Sequence, residues 1–112
     1  MYHKRKDGKG VVYFIRCGDV YKIGATRDLK SRIAAIQTTN PIKCEVVHSI
    51  KTNDMKLTER LVQSFYENRR VMGEWFGLTT LDVFNLKTGN YTNRITESAG
   101  NTQEWTRIPS VI

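Results

Sequence analysis

Two apolar runs dominate the first quarter of the chain, residues 11–17 and 20–26, each rich in β-branched and aromatic side chains and separated only by Gly18-Asp19. That spacing predicts a β-hairpin with a two-residue turn. Counting back from the turn sets Cys17 opposite Val20, Ile15 opposite Lys22 and Tyr13 opposite Gly24 on one face. Val12, Phe14, Tyr21, Ile23 and Ala25 fall on the other, because successive side chains alternate across a strand. The second face is the more continuously apolar and is expected to pack on helices. The first mixes a phenol, an ammonium and a glycine, and Gly24 opposite Tyr13 is expected to leave it open to a substrate.

Beyond the hairpin the apolar period lengthens to that of a helix. Asp28 is placed to cap a helix running to about Gln37, with Leu29, Ile33 and Ile36 as its buried stripe and Asn40-Pro41 as its stop. Arg32 lies at the edge of that stripe. Cys44 to Lys51 reads as a third strand, and Asn53 or Asp54 caps a second helix to about Arg69 with Leu57, Leu61, Val62 and Phe65 on its apolar face. Glu59 flanks that face, beside Val62 and one turn from Gln63. Gly73 breaks the pattern, and Glu74 to Leu78 forms an aromatic segment expected to dock on the core. Thr79 or Thr80 caps a short helix through Leu86, the polar stretch from Gly89 to Gln103 reads as loop, and an edge strand is expected around Trp105 to Ile108, stopped by Pro109. The expected architecture is a single α+β domain, a three-stranded antiparallel sheet with flanking helices over residues 11–80. A basic flexible arm, 1–10, precedes it, and an extension, 81–112, packs on it or trails from it.

The chain has 112 residues and a formal charge of +7, which favours a polyanionic partner. The excess is uneven: residues 1–32 hold nine bases and three acids, whereas residues 71–112 hold three and four. Lys4, Arg5, Lys6, Lys9, Arg27 and Lys30 are therefore candidate phosphate contacts. No window reaches the apolar length of a membrane span, and the five apolar residues before Arg16 are too few for a signal-peptide core. With only two cysteines and two histidines, and no Cys-x-x-Cys or His-x-x-x-His spacing, a structural zinc site is not expected. Cys17 and Cys44 read as free thiols of a reducing, cytoplasmic compartment, Cys17 as a small packing residue, and His48 as structural.

Val11-Val12-Tyr13, then Lys22-Ile23-Gly24, then Arg32 and later Glu59 form an ordered set that resembles the GIY-YIG nuclease superfamily. Tyr21-Lys22-Ile23-Gly24-Ala25-Thr26, Asp28, Arg32, Gln37, Asn40-Pro41, Glu59, Phe65 and Gly73-Glu74-Trp75-Phe76 are more specific still, and resemble its phage and bacterial branch with a Lys-Ile-Gly second motif. The first motif departs from the family pattern by losing its glycine, the second by carrying lysine in place of tyrosine. The resemblance implies a metal-dependent endonuclease that hydrolyses DNA phosphodiester bonds, acting in a bacterial or phage-infected cell. The short tail is expected to leave the chain with weak sequence preference, or with target choice supplied by a homo-oligomer or a separate specificity-providing protein.

The residue types fit that chemistry. Hydrolysis needs a proton acceptor, neutralisation of charge on phosphorus and a stabilised leaving oxygen. A phenol of ordinary pKa, about 10, must be helped to act as phenolate at neutral pH, and Lys22, diagonal to Tyr13 across the hairpin, is within reach to help it. Tyr13 is thus expected as general base, Lys22 as its electrostatic activator, Arg32 as the clamp on the transition state, and Glu59 as ligand to Mg²⁺ or Mn²⁺, which keep several waters. Glu74 and Trp75 are weaker candidates for lining the site. Taken singly each residue has a plainer reading, a strand aromatic, an exposed lysine, a snorkelling arginine or a solvated glutamate, and only their joint order raises the estimate. The alternative is a catalytically silent nucleic-acid-binding module on the same fold.

Overall fold

A computed structural model describes residues 8–89 and the backbone of 106–108. The first seven residues, most of the C-terminal extension and, apart from Gly89, the loop expected from Gly89 to Gln103 lie outside the described residues.

The hairpin forms as its pattern predicts. Strands β1 (Gly10–Cys17) and β2 (Val20–Thr26) pair antiparallel with Cys17 opposite Val20, Ile15 opposite Lys22 and Tyr13 opposite Gly24. Gly18 takes φ +67° at the turn, a left-handed conformation that glycine adopts without a Cβ penalty. Strand β3 (Cys44–Thr52) pairs with the other side of β1. A bulge beside Phe14 and Ile15 leaves Val47 without an opposite residue, so that Val47 and Ile50 both join the same core as Phe14.

The sheet is wider than the three strands expected. Two short strands, β4 (Arg70–Met72) and β5 (Trp75–Phe76), attach to the outer edge of β2, and β6 (Thr106–Ile108) attaches to β3, giving the order β4-β5-β2-β1-β3-β6. Five of the six strands therefore come from residues 10–76. Strands as short as β4 and β5 carry too little alternation to be read from sequence, whereas β6 falls where an edge strand is expected around Trp105 to Ile108.

Three helices cover the sheet. In α1 (Leu29–Thr38), Asp28 caps the first turn by accepting from the Ser31 amide at 3.1 Å. In α2 (Met55–Phe65), Asp54 accepts from the Leu57 amide at 3.2 Å. The helix stops four residues before the expected end, and a single 3-10 turn, Glu67–Arg69, follows. The helix buries Met55, Thr58 and Val62 rather than the expected Leu57, Leu61, Val62 and Phe65. Thr58 is accommodated inside by a 2.7 Å hydroxyl pair with Thr52, while Phe65 is exposed. Helix α3 (Thr80–Thr88) starts with a reciprocal Thr79–Asp82 capping box and sends Leu86 into the core.

Helices pack on both faces of the sheet. The larger core joins Val12, Phe14, Ile23 and Ala25 to Met55, Val62, Tyr66, Phe76, Leu78 and Leu86, which is the helix-covered face the hairpin pattern indicates. The other face is not open. Tyr13, Ile15, Cys17 and Cys44 cluster there with Ile36 of α1, and Leu29, Ile33 and Trp75 pack against them. Cys17 and Cys44, opposite one another across β1 and β3, form a disulfide. This corrects the expectation of two free thiols: the pairing of two strands distant in sequence brings the cysteines together, and no spacing rule signals it.

Candidate active site

The site lies at the outer edge of β2, where β5 stops. Along β2, strand β5 reaches Tyr21 and Lys22, and the edge beyond them is met by other groups. Ile23 gives its amide to the Glu74 carbonyl at 2.9 Å and takes a hydrogen bond on its own carbonyl from Gln63 Nε2 at 2.8 Å. One peptide position thus ties the Gly73-Glu74 turn to one flank of the notch and α2 to the other.

On the α1 face of the notch Tyr13 lies across Gly24. A Cβ on Gly24 would meet the phenol oxygen and come within 2.7 Å of Cζ. Gly24 therefore does not leave the face open, as the pattern suggested; its missing side chain is the space the Tyr13 ring occupies. Tyr13 is 0% exposed. Arg32, on the solvent-exposed edge of α1, donates from Nη1 to the phenol oxygen at 3.2 Å. Lys22 shares a strand face with Tyr13, yet its ammonium lies 3.1 Å from Glu74 Oε1 and 5.2 Å from the centre of the Trp75 ring.

On the α2 face Glu59 is half-buried, and Gln63 Nε2 reaches its Oε2 at 3.4 Å. Burial, and then the facing Glu74 carboxyl within hydrogen-bonding reach, hold the Glu59 pKa above the ordinary carboxylate value, against the pull of Lys56 and Arg32. Two carboxyls so placed gain from a shared proton or a cation. Hard oxygen donors of this kind suit a divalent ion such as Mg²⁺, so Glu59 fits the ligand role. Among the described residues no group of three or more His, Cys, Asp or Glu gathers. A cation at Glu59 would complete its shell with water and substrate oxygens.

Of the expected set, then, Tyr13 and Arg32 stand in direct contact, and Glu59 is close enough to Arg32 to feel its charge. Lys22 joins the carboxylate side through Glu74. Gln63 is the member that sequence reasoning undervalued; its i+4 spacing from Glu59 was the available signal. Glu74 needed the turn at Gly73, φ +54°, whose carbonyl accepts from Arg70, to be brought in. His48 is buried against Phe14, ring centroids 5.9 Å apart.

Lys9, Arg27 and Lys30 are exposed at the end of the sheet where β1 begins and β2 hands over to α1, and Lys56 is exposed on the first turn of α2. The Gly8 carbonyl accepts from the Met55 amide at 2.7 Å, fixing the root of the basic arm beside α2. Lys4, Arg5 and Lys6 lie outside the described residues. Among the described residues no helix is long and apolar enough to cross a membrane.

The family model described as T5orf172 domain matches residues 10–88. No curated protein and no solved structure matches the chain.

Proposed function

The chain belongs to the T5orf172 domain family, a phage-associated domain found in some nucleases, and from that membership and the notch at β2 we propose that it is a metal-dependent DNA endonuclease of GIY-YIG type. The observation that carries the reading is the Arg32–Tyr13 hydrogen bond, with the half-buried Glu59 carboxyl near enough to feel the Arg32 charge; a phenol, a guanidinium and a carboxylate of the required kinds come from three separate elements.

In this reading Arg32 has two stations. Without substrate it covers the phenol oxygen. When a phosphodiester enters, the exposed guanidinium turns onto its non-bridging oxygens, where a fork of donors is best used, and the Tyr13 oxygen becomes accessible. Once accessible, the phenol releases its own proton to solvent; the oxygen so freed takes a proton from the attacking water, the water oxygen bonds to phosphorus, and the bond from phosphorus to the 3′ oxygen breaks. Glu59 would hold Mg²⁺ or Mn²⁺, whose charge would stabilise that leaving oxygen. Gln63 holds the Glu59 carboxyl in place through its second bond to Ile23. Lys22 and Arg32 balance the remaining negative charge, and Lys9, Arg27 and Lys30, with the arm residues Lys4, Arg5 and Lys6, hold the flanking phosphates.

Complete burial of Tyr13 favours a second reading, a nucleic-acid-binding module in which the tyrosine is structural. Supercoiled plasmid, linear duplex, single-stranded DNA and RNA, each incubated with and without Mg²⁺ or Mn²⁺, separate the two. Metal-dependent cutting that disappears in folded Glu59→Gln and Arg32→Ala supports the enzyme; binding by all three proteins with cutting by none supports the module.

A further inference from the structure

We propose that Glu74 is a positioning residue of this site: its carboxylate holds the Lys22 ammonium over Trp75, away from the Tyr13 phenol, and so keeps that cation ready for the substrate phosphate, leaving the phenol to Arg32 alone until substrate enters. The proposal rests on the nuclease reading. Lys22 and Tyr13 share a strand face across a hairpin diagonal, near enough for an unrestrained lysine to reach the phenol. In the structure the ammonium instead lies 3.1 Å from Glu74 and 5.2 Å from the Trp75 ring centre. An anion and an aromatic face both attract it to that position.

Glu74 is itself held. Its carbonyl accepts from Ile23 at 2.9 Å, the preceding Gly73 carbonyl accepts from Arg70, and Trp75 is in register with Lys22 across β2 and β5. The Arg70 guanidinium in turn lies 4.8 Å from the centre of the buried Phe76 ring and is paired with Glu67 at 2.9 Å. The carboxylate that fixes Lys22 is thus mounted on a turn braced at three points, and the same turn faces Glu59. Two cations competing for one phenol would leave the incoming phosphate with neither in place; Glu74 separates them.

Lys22→Met, Glu74→Gln and the double variant test this by two readouts. In the wild-type protein the Lys22 side-chain methylene protons should show an upfield ring-current shift in NMR from Trp75, and Glu74→Gln should lose it. Persistence of that shift in Glu74→Gln overturns the proposal whether or not the protein cuts DNA. In cleavage assays at saturating Mg²⁺, which offsets the separate influence of Glu74 on Glu59, each single variant should lose at least about tenfold in kcat with a smaller change in KM, and the double variant should match Lys22→Met within about threefold, because Glu74 acts through Lys22. Losses that multiply, or a Glu74→Gln protein as active as wild type, overturn it. A wild-type protein that cuts nothing sinks the nuclease reading and the catalytic half of the proposal together, whereas the NMR result still decides where Glu74 holds Lys22.

Discussion

Gly24 has the sharpest residue-level constraint at the notch, since the Tyr13 ring fills the volume a side chain would need. Gly24→Ala must push the phenol aside or bend β2. Overpacking of this kind costs about 1–3 kcal/mol, and moving the phenol also breaks its bond to Arg32. The expected result is a fall in melting temperature together with a loss of cleavage larger than the fraction unfolded accounts for, measured on the same preparation. Glu59 makes the opposite kind of prediction. Burial and the facing Glu74 raise its pKa in the folded state, so its contribution to stability is fully present below the ordinary carboxylate pKa and is lost as pH rises through the raised value. Glu59→Gln removes that cost at neutral pH. The variant should therefore melt at or above the wild-type temperature at pH 7, the gap should close as pH falls toward 4, and metal-dependent cutting should be absent throughout. A drop in melting temperature at pH 7 would show that the carboxylate is held by favourable contacts instead.

Elements that announce themselves over several residues were legible. The register from Tyr13–Gly24 to Cys17–Val20 follows from counting across a two-residue turn, and Asp28 is the helix cap its position indicates. Glu59 and Gln63 share a helix flank because i and i+4 always do. What could not be read is what depends on elements meeting. Thr58 looks like a surface residue until Thr52 arrives to satisfy its hydroxyl. Lys22 looks like a partner for Tyr13 until the Gly73-Glu74 turn, a feature of two short strands, offers it a carboxylate. The Cys17–Cys44 disulfide belongs to the same class, since 27 residues separate its ends and strand pairing closes the gap. For a loop of that length the chain-entropy estimate is about 3–4 kcal/mol of stabilisation. Unfolding in denaturant with and without a thiol reductant should differ by about that amount, and Cys17→Ser should reproduce the reduced value. Equal midpoints would mean the bond adds nothing beyond the β1–β3 pairing.

At the scale of the whole molecule the charge is arranged by the fold more than by sequence position. The start of β1, the end of β2 and the first turns of α1 and α2 gather Lys9, Arg27, Lys30 and Lys56 in exposed positions at one end of the sheet, outnumbering the helix caps Asp28 and Asp54, and the bond from Met55 to Gly8 roots the arm there. The hairpin end offers Arg16 and Lys43 with Asp19 and Glu45 beside them, a nearly neutral surface. A polyanion should therefore sit across the first end, adjacent to the Arg32–Glu59 notch. Each phosphate neutralised releases condensed counterions and adds about 0.9 to the steepness of log affinity against log salt for duplex DNA. In a Glu59→Gln background, where substrate stays intact, Lys9→Ala, Arg27→Ala and Lys30→Ala combined should make that slope shallower by about 2–3 and weaken binding alike for unrelated sequences. Arg16→Ala with Lys43→Ala should leave the slope within about 0.5 of the parent. Equal effects from the two sets would mean that net charge, rather than this surface, governs the interaction, and nucleic acid would then have to approach the notch by some other path.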